Sequence, residues 1–103
     1  MKKLTIDIET RSSIDITLSG LYKYAESSDF DILLFSVSID DGDVVTYDLA
    51  SGEQLPDEII RAMTDTAIAK RAFHVNFERV CISIYLRRNY PDLLENQIGS
   101  YLP

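Results

Sequence analysis

Apolar and polar side chains alternate over residues 3–9, where every second position is leucine or isoleucine. A period of two is typical of a β-strand, in which successive side chains point to opposite faces. Asp7 and Glu9 occupy polar positions of this pattern and therefore project from the same face. The remaining predictions are organised around this strand.

Two further strands are predicted at residues 31–39 and 44–47. Residues 32–35 form a continuous apolar run, which is typical of a strand that is covered on both faces. An Asp-Gly pair at Asp41 and Gly42 lies between the two strands and indicates a tight hairpin. We expect the strands to pair antiparallel, with Gly42 accepting the positive φ of the turn.

Helical spacing appears three times. A short helix is predicted at residues 20–27, and a second begins with Pro56, whose missing N–H is harmless at a first helical position. The third and clearest helix covers residues 76–89, and Asn76 is expected to cap it. Apolar side chains recur along this helix at intervals of three and four residues. They are Phe77, Val80, Cys81, Ile84 and Tyr85.

The order of these elements predicts an α/β fold. A fourth strand is expected at residues 67–73, whereas residues 14–19 are interpreted as a loop or a short extended piece. Residues 92–103 carry no clear element. The hairpin should meet the first strand, and a helical crossover should then return the chain to the sheet. We therefore expect a mixed sheet of about four strands, with three antiparallel strands, one parallel strand and helices on the faces.

Length and charge narrow the possible functions. The 103 residues are enough for one small domain, and 10 basic against 17 acidic residues give a formal charge of −7. That charge argues against broad binding to phosphate backbones, which needs clustered lysine and arginine. Cys81 is the only cysteine, so no internal disulfide can form. Neither a membrane-spanning run nor a signal peptide is recognisable, which predicts a cytoplasmic protein.

Candidate chemistry lies in three carboxylates. Asp7 and Glu9 share one face of the first strand, and Glu78 lies in the first turn of the last helix. The partial positive charge at a helix start favours an ionised carboxylate there. If the first and fourth strands are neighbours, the three carboxylates converge and can hold Mg²⁺ or Mn²⁺, which prefer oxygen ligands. The alternative is an acidic, solvent-facing strand without a ligand.

Two segments resemble motifs of a known enzyme family. Asp7-Ile8-Glu9-Thr10 resembles the first motif of the DEDD 3′–5′ exonucleases, and His74-Val75-Asn76-Phe77-Glu78 resembles their second motif. Further segments are similar to the amino-terminal proofreading region of phage-type family A DNA polymerases. These are residues 20–27, 32–35, 48–53 and 77–81.

The resemblance implies a ribonuclease H-like fold and two-metal hydrolysis at the single-stranded 3′ end of DNA in a bacterial host or phage-infected cell. Asp7, Glu9 and Glu78 would be both catalytic residues and ligands of Mg²⁺ or Mn²⁺. Thr10 would lie beside the terminal nucleotide, and His74 would contact the substrate. Glu78 stands where the family usually has aspartate. His74 replaces the usual asparagine, and histidine would add pH dependence near neutrality.

The third family motif, a tyrosine four residues before an aspartate, cannot be built after Tyr101. Residues 1–103 are therefore expected to be a single, incomplete exonuclease-like domain. The intact parent would be a DNA polymerase with 3′–5′ exonuclease, whereas the fragment alone would be inactive and would self-associate. Two alternatives are a non-catalytic ribonuclease H-like binding or scaffolding module, and an acidic DNA mimic with carboxylates in surface rows.

Overall fold

The computed structural model describes residues 1–94, with the side chains of residues 1–92. A four-stranded mixed sheet in the order β3-β2-β1-β4 forms its centre. β1 pairs antiparallel with β2 and parallel with β4, and β2 pairs antiparallel with β3. The strands are β1 (Lys3–Arg11), β2 (Asp31–Ile39), β3 (Val44–Asp48) and β4 (Ala69–Arg71). The predicted α/β class and mixed sheet are confirmed, and they are consistent with a partial ribonuclease H-like fold.

Burial along β1 alternates as its sequence predicts. Its leucine and isoleucine side chains are buried in the core, whereas Thr5, Asp7 and Glu9 are exposed. The pairing register between β1 and β2 shifts after Glu9, so that Thr10 lies opposite Ile32. Such an irregularity interrupts the simple alternation of faces, and Thr10 is half-buried.

The hairpin between β2 and β3 forms where predicted, but the prediction for Gly42 is wrong. Asp40 and Asp41 carry the positive φ angles, 51° and 63°, and the Gly42 N–H donates to the Ile39 carbonyl at 2.9 Å. Two consecutive central residues with positive φ define a type I′ turn, and aspartate tolerates this conformation better than most residues. Asp40 Oδ1 also accepts from the backbone N–H of Lys2 at 2.8 Å, which fixes the turn against β1.

The described residues contain five α-helices and one short 3-10 helix, Leu49–Ser51, which directly follows β3. The α-helices are α1 (Ile16–Ser19), α2 (Leu21–Glu26), α3 (Asp57–Thr64), α4 (Val75–Asn89) and α5 (Pro91–Leu94). α1 replaces the loop or extended piece predicted there, because Asp15 Oδ1 accepts from the N–H of Thr17 at 2.8 Å and caps a helical turn.

The predictions for the other elements are partly corrected. α2 forms within one residue of its predicted limits, and α3 begins at Asp57, one residue after Pro56, which occupies its N-cap position. β4 covers three residues instead of 67–73. α5 forms a helical turn within residues 92–103, for which no element was expected, and residues 95–103 lie outside the described part. His74 instead of Asn76 occupies the N-cap position of α4, although no side-chain capping bond forms there.

α4 is buried over a wider arc than its apolar stripe predicts. Val80 and Cys81 are buried, as expected, but Ile82 and Leu86 are also only 1% exposed. α4 packs against both α2 and β2, so that two sides of the helix face other elements. Within residues 1–94, no helix combines the length and apolar character that a membrane crossing requires.

Candidate functional site

The topology brings the end of β4 beside the middle of β1. β4 pairs in parallel with Lys3, Leu4 and Thr5 only, so that Asp7 and Glu9 lie beyond the paired region. The chain leaves β4 in the same direction and enters α4 four residues later. The start of α4 is therefore delivered to the carboxyl end of β1, where the two exposed carboxylates project.

Glu78 lies in the first turn of α4 and is only 2% exposed. Its Oε2 accepts from the backbone N–H of His74 at 3.2 Å, and its own N–H donates to the His74 carbonyl at 2.9 Å. The side chain thus satisfies one of the free N–H groups at the helix start. This hydrogen bond gives Glu78 a structural role at the start of α4, in addition to any role in catalysis or metal binding.

The pKa of Glu78 is raised, chiefly because burial disfavours the charged carboxylate. The hydrogen bond from the His74 N–H lowers this pKa, the negative charge of Asp7 raises it, and the charge of His74 lowers it. Asp7 is therefore near enough to act on Glu78 electrostatically. Glu9 is not among the groups that act on the pKa of Glu78.

Oxygen donors such as the Asp7 and Glu78 carboxylates fit hard divalent cations like Mg²⁺ and Mn²⁺. Among residues 1–94, however, no group of three or more His, Cys, Asp or Glu side chains is arranged to hold a metal ion. The assignment of Asp7, Glu9 and Glu78 as metal ligands stays a prediction.

Thr10 makes a contact that sequence reasoning missed. Its Oγ1 lies 2.8 Å from the Tyr24 hydroxyl of α2, at hydrogen-bond distance. The Tyr24 ring packs edge-on against Phe30, with centroids 6.0 Å apart, and in a tilted orientation against Phe77 of α4, with centroids 6.2 Å apart. Tyr24 therefore connects the end of β1 to the residue that precedes Glu78. Tyr24 lies within the short helix predicted at residues 20–27, but no pattern in the sequence indicated this contact.

His74 is exposed at the start of α4, and its charge acts on Glu78. Asn76 does not cap the helix, because its Oδ1 accepts from Arg79 Nη2 at 2.7 Å within the helix itself. Contact of His74 or Thr10 with a substrate stays a prediction.

Comparison with known proteins gives one informative match. No protein-family model matches the chain, and no solved structure does. A DNA polymerase of Bacillus phage SP02 is 49% identical over 83 residues, which cover 81% of this chain. The match spans only 13% of that relative. By sequence, this chain is therefore similar to one part of a phage DNA polymerase.

Proposed function

We propose that this chain is the amino-terminal part of the proofreading domain of a phage-type DNA polymerase. In the intact parent, this domain would hydrolyse the terminal phosphodiester at the single-stranded 3′ end of DNA, in the cytoplasm of a bacterial host or phage-infected cell. The observation that carries the proposal is the position of the buried Glu78 in the first turn of α4, which follows the strand that pairs in parallel with β1. Similarity to a phage DNA polymerase supports the same class of parent.

Asp7, Glu9 and Glu78 would hold the divalent cations of this reaction. Mg²⁺ or Mn²⁺ bound there would activate water and stabilise the charge that develops on the phosphate. Glu78 gains from such binding, because burial and the neighbouring Asp7 charge both disfavour its ionised form. The exposed Asp7 and Glu9 leave that face of β1 open to a strand of DNA.

Thr10 and His74 would position the 3′-terminal nucleotide. Thr10 follows Glu9 at the end of β1, and its contact with the Tyr24 hydroxyl holds its side chain in one orientation. His74 is exposed at the start of α4, four residues before Glu78, and its ring would donate a hydrogen bond to the substrate. Histidine in this role would make substrate binding sensitive to pH.

Calorimetric titration of the chain with Mn²⁺ and Mg²⁺ tests the metal site. We expect weak binding that favours Mn²⁺, because Mg²⁺ demands stricter octahedral geometry. Asp7→Ala should abolish Mn²⁺ binding, whereas Asp43→Ala, which removes an exposed carboxylate of the β2–β3 turn, should leave it unchanged. Tight Mn²⁺ binding that survives Asp7→Ala would contradict the proposal. In the intact polymerase, Asp7→Ala should abolish 3′ excision and leave polymerisation intact.

A second candidate is a non-catalytic ribonuclease H-like module that binds or scaffolds. The bond between Glu78 Oε2 and the His74 N–H favours it, because this carboxylate already serves the start of α4. The absence of a three-ligand group among the described residues points the same way. This candidate predicts no Mn²⁺ binding by the wild-type chain under conditions in which it is folded.

A further inference from the structure

Tyr24 of α2 lies between the end of β1 and the start of α4. Its hydroxyl is 2.8 Å from Thr10 Oγ1, and within residues 1–94 neither hydroxyl has another hydrogen-bond partner. Phe77, whose ring centroid is 6.2 Å from that of Tyr24, directly precedes Glu78 in α4. One side chain thus contacts both elements that carry the candidate metal ligands.

Packing on two sides fixes the direction of the Tyr24 hydroxyl. The ring meets Phe30 edge-on, with centroids 6.0 Å apart, and Phe30 itself is only 6% exposed. Arg88 in the last turn of α4 donates from Nη2 to the Glu26 carbonyl at 2.9 Å, and its guanidinium lies 6.0 Å from the centre of the Phe30 ring. α2 is therefore attached to both ends of α4, and the Tyr24 ring is confined between two aromatic neighbours.

The chemistry of the two hydroxyls decides which one donates in the proposed reaction. Each has one proton and can also accept, and a phenol is the more acidic group and therefore the better donor. The oxygens of a phosphodiester only accept hydrogen bonds, so Thr10 can bind one only if its own proton points away from Tyr24. Tyr24 is then the donor, and the bond that it donates polarises the Thr10 hydroxyl and strengthens the next bond in the chain.

We propose that Tyr24 is a positioning residue for 3′ excision, which donates to Thr10 Oγ1 and thereby directs the Thr10 proton toward an oxygen of the 3′-terminal nucleotide. The same ring holds Phe77, the residue before Glu78, so that one side chain supports both parts of the candidate site. The identity of the acceptor rests on the proposed function, whereas the Tyr24–Thr10 bond and the ring contacts belong to the fold itself.

NMR of the full chain, in EDTA so that no metal contributes, tests whether Tyr24 orients Thr10. Three-bond couplings from the Thr10 methyl carbon to the backbone nitrogen and carbonyl carbon report how firmly χ1 is fixed. Wild type should show one rotamer, whereas Tyr24→Phe, which keeps the ring and removes the hydroxyl, should show averaging between rotamers. Tyr22→Phe is the matched control at an exposed position of α2 and should leave the couplings unchanged. Averaged couplings in wild type, or unchanged couplings in Tyr24→Phe, would overturn the inference.

Excision of the 3′-terminal nucleotide from a labelled oligonucleotide by the intact polymerase tests the effect on the reaction. Tyr24→Phe should lower kcat/KM roughly tenfold, the change that corresponds to about one net hydrogen bond. Thr10→Val should cause the larger loss, and the double variant should lose no more than Thr10→Val, because Tyr24 acts through Thr10. A merely structural role of Tyr24 would instead lower the melting temperature and leave excision by the folded polymerase unchanged.

The outcomes separate this inference from the proposed function. Wild-type excision with an unchanged rate in Tyr24→Phe would overturn the role of Tyr24 alone, and so would additive losses in the double variant. A wild-type polymerase that does not excise the nucleotide would overturn the proposed function and this inference together. Melting curves of each variant confirm that the rates are measured on folded protein.

Discussion

At Glu78, the protonated carboxyl group favours stability of the fold, whereas the proposed metal binding requires the ionised carboxylate. Its carboxylate is buried beside Asp7, and both conditions raise its pKa. The folded chain therefore holds this proton at pH values at which the unfolded chain has released it. The stabilisation from the protonated form is fully present below the unfolded pKa and is lost as pH rises through the folded pKa. An ionised Glu78 thus costs stability near neutrality, unless a cation compensates its charge.

Glu78→Gln should remove this dependence on pH. Glutamine keeps an oxygen acceptor for the His74 N–H but does not titrate. We expect the difference in melting temperature between Glu78→Gln and wild type to shift in favour of the variant as pH rises from acid to neutral. Thermal melts across this range measure it. Glu58→Gln, at an exposed position in the first turn of α3, is the control. A difference that stays constant with pH would contradict the expectation.

Tyr24→Phe tests the contact between α2 and the end of β1. The change removes the hydroxyl that lies 2.8 Å from Thr10 Oγ1 but keeps the ring that packs on Phe30 and Phe77. The expected loss of unfolding free energy is about 0.5–1.5 kcal/mol, which is the usual net value of one hydrogen bond. Urea denaturation measures it. The same substitution at exposed Tyr22 should have little effect, and equal effects at both positions would argue against a specific Tyr24–Thr10 bond.

At the scale of elements, the pattern of apolar and polar residues predicts an element correctly where only one face of that element is buried. β1 alternates between core and solvent, so its period of two predicts both the strand and the exposed positions of Asp7 and Glu9. The turn after β2 was placed correctly, but aspartate also accepts positive φ, and Asp40 and Asp41 take that role instead of Gly42. Composition indicates that a turn occurs, whereas its exact dihedral angles depend on how the flanking strands pair.

The apolar stripe in the sequence of α4 predicts only part of the surface that this helix buries. Contacts with α2 and β2 bury Ile82 and Leu86 outside the predicted stripe. α2 lies about fifty residues earlier in the chain, and a local pattern cannot reveal which sides of a helix distant elements will cover. The same reason explains why the contact between Tyr24 and Phe77 was not predicted, although both helices were.

Ile82→Val and Ile84→Val form a matched pair that tests this wider burial. Ile82 is 1% exposed, whereas Ile84 is only half-buried. Removal of one buried methylene should cost about 0.5–1.5 kcal/mol of unfolding free energy at Ile82 and clearly less at Ile84. Urea denaturation with equal slopes for both variants measures the difference. A larger loss at Ile84 would support the stripe that the sequence predicts.

At the scale of the whole molecule, the order of elements predicted the mixed sheet of four strands, whereas the pairing of β4 with β1 was only a condition of that prediction. Strands that follow one another in the chain tend to pair as hairpins. α3 provides a crossover long enough to return β4 parallel to β1. The parallel pairing of β4 with β1 brings the start of α4, which carries Glu78, toward the carboxyl end of β1. The convergence of all three carboxylates depends on side-chain conformations and ligands that no pattern of residue types specifies.

The outer edge of β4 is the surface of this molecule most suited to self-association. β4 pairs with β1 on one side, and no described strand pairs with its other side. Phe73 is 92% exposed and Val75 is 61% exposed, directly after this strand. Lys70 of this strand donates from its Nζ to the Asp65 carbonyl. An unpaired strand beside exposed apolar side chains favours pairing with a second copy.

We therefore expect the chain to associate as its concentration rises, and more strongly in added salt, because salt screens the repulsion between copies of charge −7. Sedimentation velocity over a concentration series measures the association. Phe73→Ser should weaken it, whereas Val44→Ser, at a 68% exposed position on β3 at the opposite edge, should not. Equal weakening by both variants would place the contact elsewhere or show general apolar adhesion. A chain that sediments as a monomer throughout the series, with and without salt, would show that the β4 edge needs no partner.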